Sequence, residues 1–584
     1  MLHLFIVLFA LLTETEACTT LICGRLATAD GSVIASHSSD GGGTLDPRLV
    51  RVPAQDFPEG SKRPVYPSPE NYPRYVGTER GVEEYHASNC LGSEEQCTDL
   101  EPMGYIDQVP HTYSYFECTY GIMNEHQVGI AESTCSGVFV ARPISVGGKA
   151  LFSIDALSQI ALERSATARG AVETMGALAE QYGFYGESAS FEGGAESLLV
   201  SDPSEGWVFH VLPDPTGTSA IWAAQRVPDD SVAVVANMFI IREVNLSDTT
   251  NFLGSASMWD IALAEGLWKE GEPMDFTATF SDGEYAHKYY SGRRMWGAYR
   301  LLSPETDLSP EYGNLKSDAP YPFAAPVSKS KLLSPADFMA VHRDWYNGTE
   351  YSQSADNVLA GGPYETPDRY SGSTGEMQVS GSWERPIALF RTASSFIVQS
   401  KAYLSNDLGG VIWWGAHAPH GTSYVPILPG SMLNSPPCLS HVYQGVFDLT
   451  TSFWAHRAVL NFAQIKFSYI IKDIQALQSE MESTSQKLVS ELVTKYSRLP
   501  VVTTDMKEDI TEVLISNVLE VRDAFVSLFY ELVYKYADGY LNSINAAGKF
   551  TSASTGYPAW WLEAVGFTDG PPPVDDATAQ VVGK

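Results

Sequence analysis

The sequence predicts an α+β protein whose strands and helices fall in separate blocks, ending in a helical C-terminal portion. Three observations predict it. Residues 19–36 read as a β-hairpin, and residues 197–235 alternate as a β-meander. Residues 455–493 and 506–540 carry apolar side chains three and four apart. Blocks of this kind build layers of sheet and helix rather than repeating βαβ units.

The chain opens with an unbroken apolar run from Leu4 to Leu12. A bilayer needs about 20 apolar residues, so this run is too short to span one and suits the core of a signal peptide. Polar residues follow, and Ala17 is small, as a cleavage site requires. Residues 1–17 are therefore expected to be removed, leaving a chain that starts at Cys18 in the secretory pathway, outside the cell or in a lysosomal or vacuolar lumen. Sequons at Asn245 and Asn347 fit that route. No later run reaches about 18 apolar residues, so no membrane helix is expected.

Residues 19–25 (TTLICGR) read as the first strand. Asp30-Gly31 gives the hairpin turn, and residues 33–36 return. Residues 40–115 are rich in Pro, Gly, Tyr and Glu with weak periodicity, a long loop region able to shape a pocket. Residues 119–133 suggest strand, turn and strand around Asn124-Glu125-His126. Residues 153–182 are helical, with a break expected at Gly170 and Gly183 as the C-cap. More short strands are expected over 386–427. A helical portion over 453–565 is expected to pack on the rest, and residues 566–584, with Pro571 to Pro573, to form a disordered tail.

The net charge is −33, from 70 acidic and 37 basic residues. Such a surface repels nucleic acid and anionic membranes, so neither is an expected partner; the sequence leaves a homo-oligomer open. Seven cysteines leave one thiol over in an oxidising compartment. If Cys18 is the free one, six remain and can form three bridges, with Cys90–Cys97 the readiest pair. A Cys18–Cys23 bridge is awkward, because positions five apart on a strand face opposite ways. There is no HExxH, CxxC or P-loop, no GxSxG with a helix behind it, and the histidines are scattered. No metal or cofactor is expected.

Residues 18–41, CTTLICGRLATADGSVIASHSSDG, resemble the start of the C69 dipeptidases, a branch of the N-terminal nucleophile (Ntn) hydrolases. Further matches come in order. They are residues 121–127 (GIMNEHQ), 131–134 (AEST), 223–229 (AAQRVPD), 235–237 (VAN), 291–294 (SGRR), 409–413 (GGVIW) and 556–562 (GYPAWWL). The resemblance spans nearly the whole chain after residue 17. It implies a four-layer αββα sandwich over 18–452, hydrolysis of dipeptides or short peptides, and a set of site residues.

By that resemblance Cys18 is the nucleophile, and its own α-amino group, freed by cleavage after Ala17, is the base. An α-amine titrates at about 7.7–8.0, close to working pH. The thiolate would attack the amide carbon, and water would hydrolyse the thioester. Asn237 matches the place of an oxyanion-hole asparagine, and Thr134 is a second donor candidate. Asp40 matches an acid that orients the free amine. One of Arg293 and Arg294 is expected to point inward and position the nucleophile, with Arg293 the candidate. Glu132 could hold the substrate's amine. Many relatives carry an arginine three residues before the acid, where this chain has His37. A histidine there titrates near 6.5 and cannot hold a permanent charge, so substrate binding or pH dependence would differ. Two alternatives keep the fold: an Ntn amidase acting on N-acyl amides, and a non-catalytic secreted glycoprotein with Cys18 in a disulfide.

Overall fold

The computed structural model describes residues 18–41, 43–68, 71–187, 194–284, 287–311, 321–354, 359–370, 379, 381–499 and 501–570. The expected signal peptide and residues 571–584 of the expected tail lie outside the described residues.

The first strands are β1 (Thr19–Cys23), β2 (Val33–Ser39), β3 (Val50–Val52), β4 (Tyr115–Glu117), β5 (Gly121–Asn124) and β6 (Gly129–Ser136). Helices α1 (Ile154–Arg164) and α2 (Ala168–Tyr182) follow. Then come β7 (Gly194–Ser201), β8 (Gly206–Pro213), β9 (Ala220–Arg226), β10 (Ser231–Val235) and β11 (Phe252–Gly254). Next are α3 (Arg293–Leu302), β12 (Ala325–Pro326), α4 (Pro335–His342), β13 (Ser394–Ser400), β14 (Val411–Gly415) and β15 (Val425–Ile427). Helices α5 (Ser452–Ala463), α6 (Phe467–Tyr496) and α7 (Thr504–Lys535) make up most of the C-terminal portion.

Two antiparallel sheets result. The first has seven strands in the order β12-β10-β1-β2-β13-β14-β15, and the second has eight in the order β11-β9-β8-β7-β6-β5-β4-β3. They pack on each other through β1, β2 and β13 against β6 and β7. Helix α2 lies on β7, β8 and β9, while α3 and α4 lie on β10, β2 and β13. Strands β2, β7 and β8 are buried along their whole length because both faces are covered. Alternation along β7 shows which side is which. Leu198 and Val200 share a cluster with Leu157 and Ile160 of α1 and Val172 and Met175 of α2. Ala195 and Leu199 join Leu21, Ile34 and Ala35 of the first sheet.

The hairpin forms as the sequence implies. Gly31 takes φ +76, where its missing Cβ costs nothing, and β1 pairs with β2 in the register Thr20 to His37. The α1–α2 break falls at residues 165–167, not at Gly170. Thr167 caps α2 by accepting from the Gly170 N–H, so Gly170 lies in its first turn. Gly183 ends α2 at φ +79. The meander is also split. Strands β7 to β9 stay in the second sheet, but β10 crosses to pair with β1. The turn before β10 is drawn to the end of β1, where the Leu26 N–H donates to the Asp229 carbonyl at 2.7 Å. Gly24 permits this approach: a Cβ there would sit 2.5 Å from the Asp229 backbone.

Helix α7 stops at Lys535, and residues 540–554 form a small hairpin, Tyr540–Ile544 with Phe550–Ser554, in place of further helix. Helices α6 and α7 pack on β15, and Leu514, Val518 and Phe525 belong to the same buried cluster as Val425 and Ile427. No helix among the described residues is long and apolar enough to cross a membrane. Both sequon asparagines are exposed.

Cys90 and Cys97 are bridged, with Cα atoms 5.6 Å apart. The expectation of three bridges does not hold: Cys18, Cys23, Cys118, Cys135 and Cys438 are free and buried. They sit at separate places in the core. Cys23 lies in β1 between Val232 and Ile34, Cys135 bonds Ser197, and Cys438 bonds Ser452.

Candidate active site

Cys18 stands immediately before β1 and is 3% exposed. Its thiol is in no disulfide. Burial pushes that thiol well above its ordinary range, and the charges of Glu132, Asp40 and Glu187 push the same way. A hydrogen bond to the Asp40 backbone acts against them. The resting thiol is thus protonated and needs a base before it can attack.

Arg294 organises the residues around it. Its Nη1 donates to the Cys18 carbonyl at 2.9 Å and to Thr19 Oγ1 at 3.0 Å. Its Nη2 donates to the Ala236 carbonyl at 3.2 Å and to Asn237 Oδ1 at 2.8 Å. One guanidinium fork therefore ties the start of β1 to the end of β10. Burial, with the charge of Arg385, pulls Arg294 down to about 9, so it stays charged at neutral pH. This corrects the expectation for Arg293. That side chain bonds Glu384 at 2.5 Å and lies 3.6 Å from the Tyr351 ring centroid. Both arginines are buried, but only Arg294 touches the Cys18 residue.

Asn237 sits at φ +54, a left-handed conformation that asparagine tolerates better than most residues. Its backbone N–H donates to Ser133 Oγ at 3.1 Å, and its Nδ2 donates to the Thr134 carbonyl at 2.7 Å. Since Nδ2 carries two hydrogens, its second is left for a ligand. The Thr134 hydroxyl is placed otherwise. It lies 2.9 Å from Glu132 Oε1 and 3.1 Å from Glu187 Oε2, so its single proton goes to a carboxylate. That suits it to hold an acidic pair in place.

Asp40 follows the end of β2 and is buried. Arg385 Nη2 reaches its Oδ2 at 2.5 Å, Ser38 Oγ donates to the same oxygen at 3.1 Å, and Thr392 Oγ1 donates to Oδ1. Burial lifts its carboxyl above the usual value, while Arg385 and Thr392 draw it down. Arg385 and Thr392 lie 345 and 352 residues further along the chain, and no motif marked them.

His37 points at β6 of the other sheet. Strand β5 pairs with β6 only at Met123 and Gly129, and the His37 ring meets β6 beyond that point. Its Nδ1 lies 2.7 Å from the Glu132 carbonyl and so carries the proton. Its Nε2 is buried and has no hydrogen-bond partner. Phe396 and Tyr120 rings flank it, with centroids 5.1 and 6.0 Å away. Burial lowers His37 to about 4, so it is neutral at ordinary pH. The expectation that it titrates near 6.5 therefore fails. Cys18 Sγ, a His37 ring nitrogen and a Glu132 carboxylate oxygen all lie within 4.8 Å of one another.

The structure thus gathers Cys18, Asp40, Asn237, Glu132, Thr134 and His37, and replaces Arg293 with Arg294. The segment read as a long loop carries short paired strands, Lys62–Val65 with Gly104–Asp107 among them. A cavity of about 290 Å³ lies between residues 52–119 and α1, lined by Arg63, Arg74, Arg80, Tyr115 and Asp155 among others. Cys18 does not line it.

The family model for peptidase family C69 matches residues 114–480. The chain is 25% identical over 452 residues to a probable dipeptidase of Latilactobacillus sakei, covering 76% of this chain and 80% of that protein. It is 24% identical to a probable dipeptidase of Salmonella dublin, covering 71% and 81%. It is 21% identical to dipeptidase A of Lactobacillus helveticus, covering 68% and 72%. With more than half of its length matched by the family model, the chain belongs to peptidase family C69.

Proposed function

We propose that this protein is a cysteine-type Ntn dipeptidase, activated when removal of residues 1–17 exposes the α-amine of Cys18. The observation that carries this reading is the Arg294 fork, which holds the Cys18 carbonyl and the Asn237 amide in one frame. Two packed sheets, with α2 on the outer side of one and α3 and α4 on the other, agree with the four-layer sandwich of that class. The two exposed sequons agree with passage through the secretory pathway.

In this reading the thiol proton of Cys18 passes to its own α-amine, whose orientation the fixed Asp40 carboxylate supports. The thiolate attacks the amide carbon. The tetrahedral oxyanion takes the free Nδ2 hydrogen of Asn237 as one donor. Collapse expels the leaving amine, which takes a proton, and leaves a thioester on Cys18. Water then attacks the thioester and restores the thiol. Glu132 and Glu187, joined through the Thr134 hydroxyl, offer negative charge to a substrate ammonium, as an unblocked dipeptide carries. That charge favours peptides over N-acyl amides.

The test is a panel of dipeptides, N-acetylated dipeptides and acyl amides, assayed with the secreted protein and its Cys18→Ala variant. Hydrolysis of free dipeptides that the variant lacks is expected. Equal turnover of the acetylated peptides would overturn the recognition of the amine, and activity surviving in Cys18→Ala would overturn the nucleophile.

A further inference from the structure

We propose that Cys18, His37 and Glu132 form a zinc site, and that a zinc ion seated there reversibly blocks the nucleophile. A thiolate, an imidazole and a carboxylate are the side chains zinc takes most readily, and three protein ligands leave a fourth position open. Here Cys18 Sγ, one His37 ring nitrogen and a Glu132 carboxylate oxygen already lie within 4.8 Å of one another, and all three residues are buried. A shift of about 1 Å would bring them to the separations of a tetrahedral shell.

His37 is the second, independent observation. Its Nδ1–H is spent on the Glu132 carbonyl, which fixes both tautomer and ring orientation. This is how metal-bound histidines are held by a neighbouring backbone carbonyl. The ring is 0% exposed, and its Nε2 lone pair has no partner. A buried lone pair without a donor is costly unless something occupies it. The charges of Glu132, Asp40 and Glu187 all act on Cys18, which favours a cation beside it.

Binding replaces the thiol proton, which leaves to solvent as zinc takes the sulfur. In the processed chain the Cys18 α-amine and thiolate can close a chelate ring on the same ion, supplying the fourth donor. Zinc would then hold nucleophile and base together and compete with a substrate ammonium for Glu132. The binding follows from the side chains alone; the inhibition rests on Cys18 being the nucleophile.

The test uses the full secreted protein, freed of metal with a chelator and kept reduced. Zinc binding is measured by competition with a chromophoric chelator, and cobalt is substituted to look for a thiolate-to-metal charge-transfer band. Dipeptide hydrolysis is followed in parallel. The expected result is about one zinc per chain, a cobalt–thiolate band, and inhibition that a chelator reverses. His37→Gln and Cys18→Ala should each weaken binding at least about tenfold, whereas Cys438→Ser should not. Circular dichroism checks that each variant is folded, and zinc protection of Cys18 from alkylation reads the same site in the unmutated protein. Zinc that fails to bind, or that binds equally to His37→Gln, overturns the site while leaving an active peptidase untouched. Site-dependent binding with no hydrolysis either with or without zinc supports the site and overturns the inhibition together with the peptidase reading. Hydrolysis lost on chelation and restored by zinc overturns the inhibitory role.

Discussion

At the scale of single residues, Asn237 and Arg294 do different work, and kinetics should separate them. Asn237 donates one hydrogen to Thr134 and holds another for the oxyanion. Asn237→Ala should lower kcat by about 100- to 1,000-fold with KM little changed, the loss typical of one oxyanion donor. Arg294→Lys keeps the charge but not the fork that spans Cys18 and Asn237, and should lower kcat about a hundredfold through misplacement. Arg293→Lys, which disturbs contacts to Glu384, Glu311, Tyr351 and Trp296 but none to Cys18 or Asn237, should cost far less. If Arg293→Lys proves the more damaging, the assignment of the inward arginine is wrong. The residue types at this site were legible from the sequence: a cysteine after a small residue, an acid after a strand, an asparagine ending one. Which arginine turns inward was not. A π-helical turn over Lys288–Gly292 precedes α3 and shifts its phase, so ordinary helical spacing cannot assign the adjacent pair. Arg385 and Thr392 were hidden for another reason. They meet Asp40 only through long-range packing, and no motif in the sequence ties them to it.

At the scale of elements, the loop after β10 that carries Asn237 is pinned from two sides. Glu284 accepts from the Phe239 N–H at 3.3 Å and also from the Ser136 N–H. His210 Nε2 lies 2.9 Å from the Ile240 nitrogen and 3.3 Å from that of Ile241, while its Nδ1 meets Ser197 at 2.6 Å. His210 must be neutral to accept those bonds, and burial lowers it to about 3. Between that value and the unfolded value near 6.5, the unfolded chain binds a proton that the native chain does not. The stabilising contribution is therefore complete above about 6.5 and falls as the pH drops toward 3. His210→Gln, which does not titrate, lacks this loss. Its stability gap to the unmutated protein should narrow by about 2 kcal/mol between pH 7.5 and pH 5, read by urea unfolding. A gap that stays constant would show that His210 binds its proton in the native state as readily as in the unfolded chain. At this scale the sequence displayed its strands and helices well but not their sheet. The run over 197–235 alternates throughout, and alternation says nothing about which partner a strand takes. The hydrogen bonds of the Asp229 turn to the end of β1 decide it.

At the scale of the whole molecule, the C-terminal helices share one core with the first sheet. Leu514, Val518 and Phe525 of α7 are fully or almost fully buried in the cluster that holds Val425 and Ile427. Arg343 and Glu482 join α6 to the end of α4 across a partly buried ion pair, and Glu482 also accepts from the Tyr424 N–H at 2.9 Å. Calorimetry should accordingly show one cooperative transition for the full chain. Two separated transitions would mean that the helices fold as an independent unit. The periodic apolar stripes announced these helices, but their docking site depended on β15, a strand of three residues too short to read.

The central claim, that Cys18 is both the first residue and the nucleophile, has a direct test. The protein is secreted from a eukaryotic host, alkylated without reductant, and its N-terminal peptide is sequenced by mass spectrometry. The account predicts a chain that begins at Cys18 with the label on that thiol. A chain that begins elsewhere and remains fully active, or a Cys18 locked in a disulfide, would contradict it.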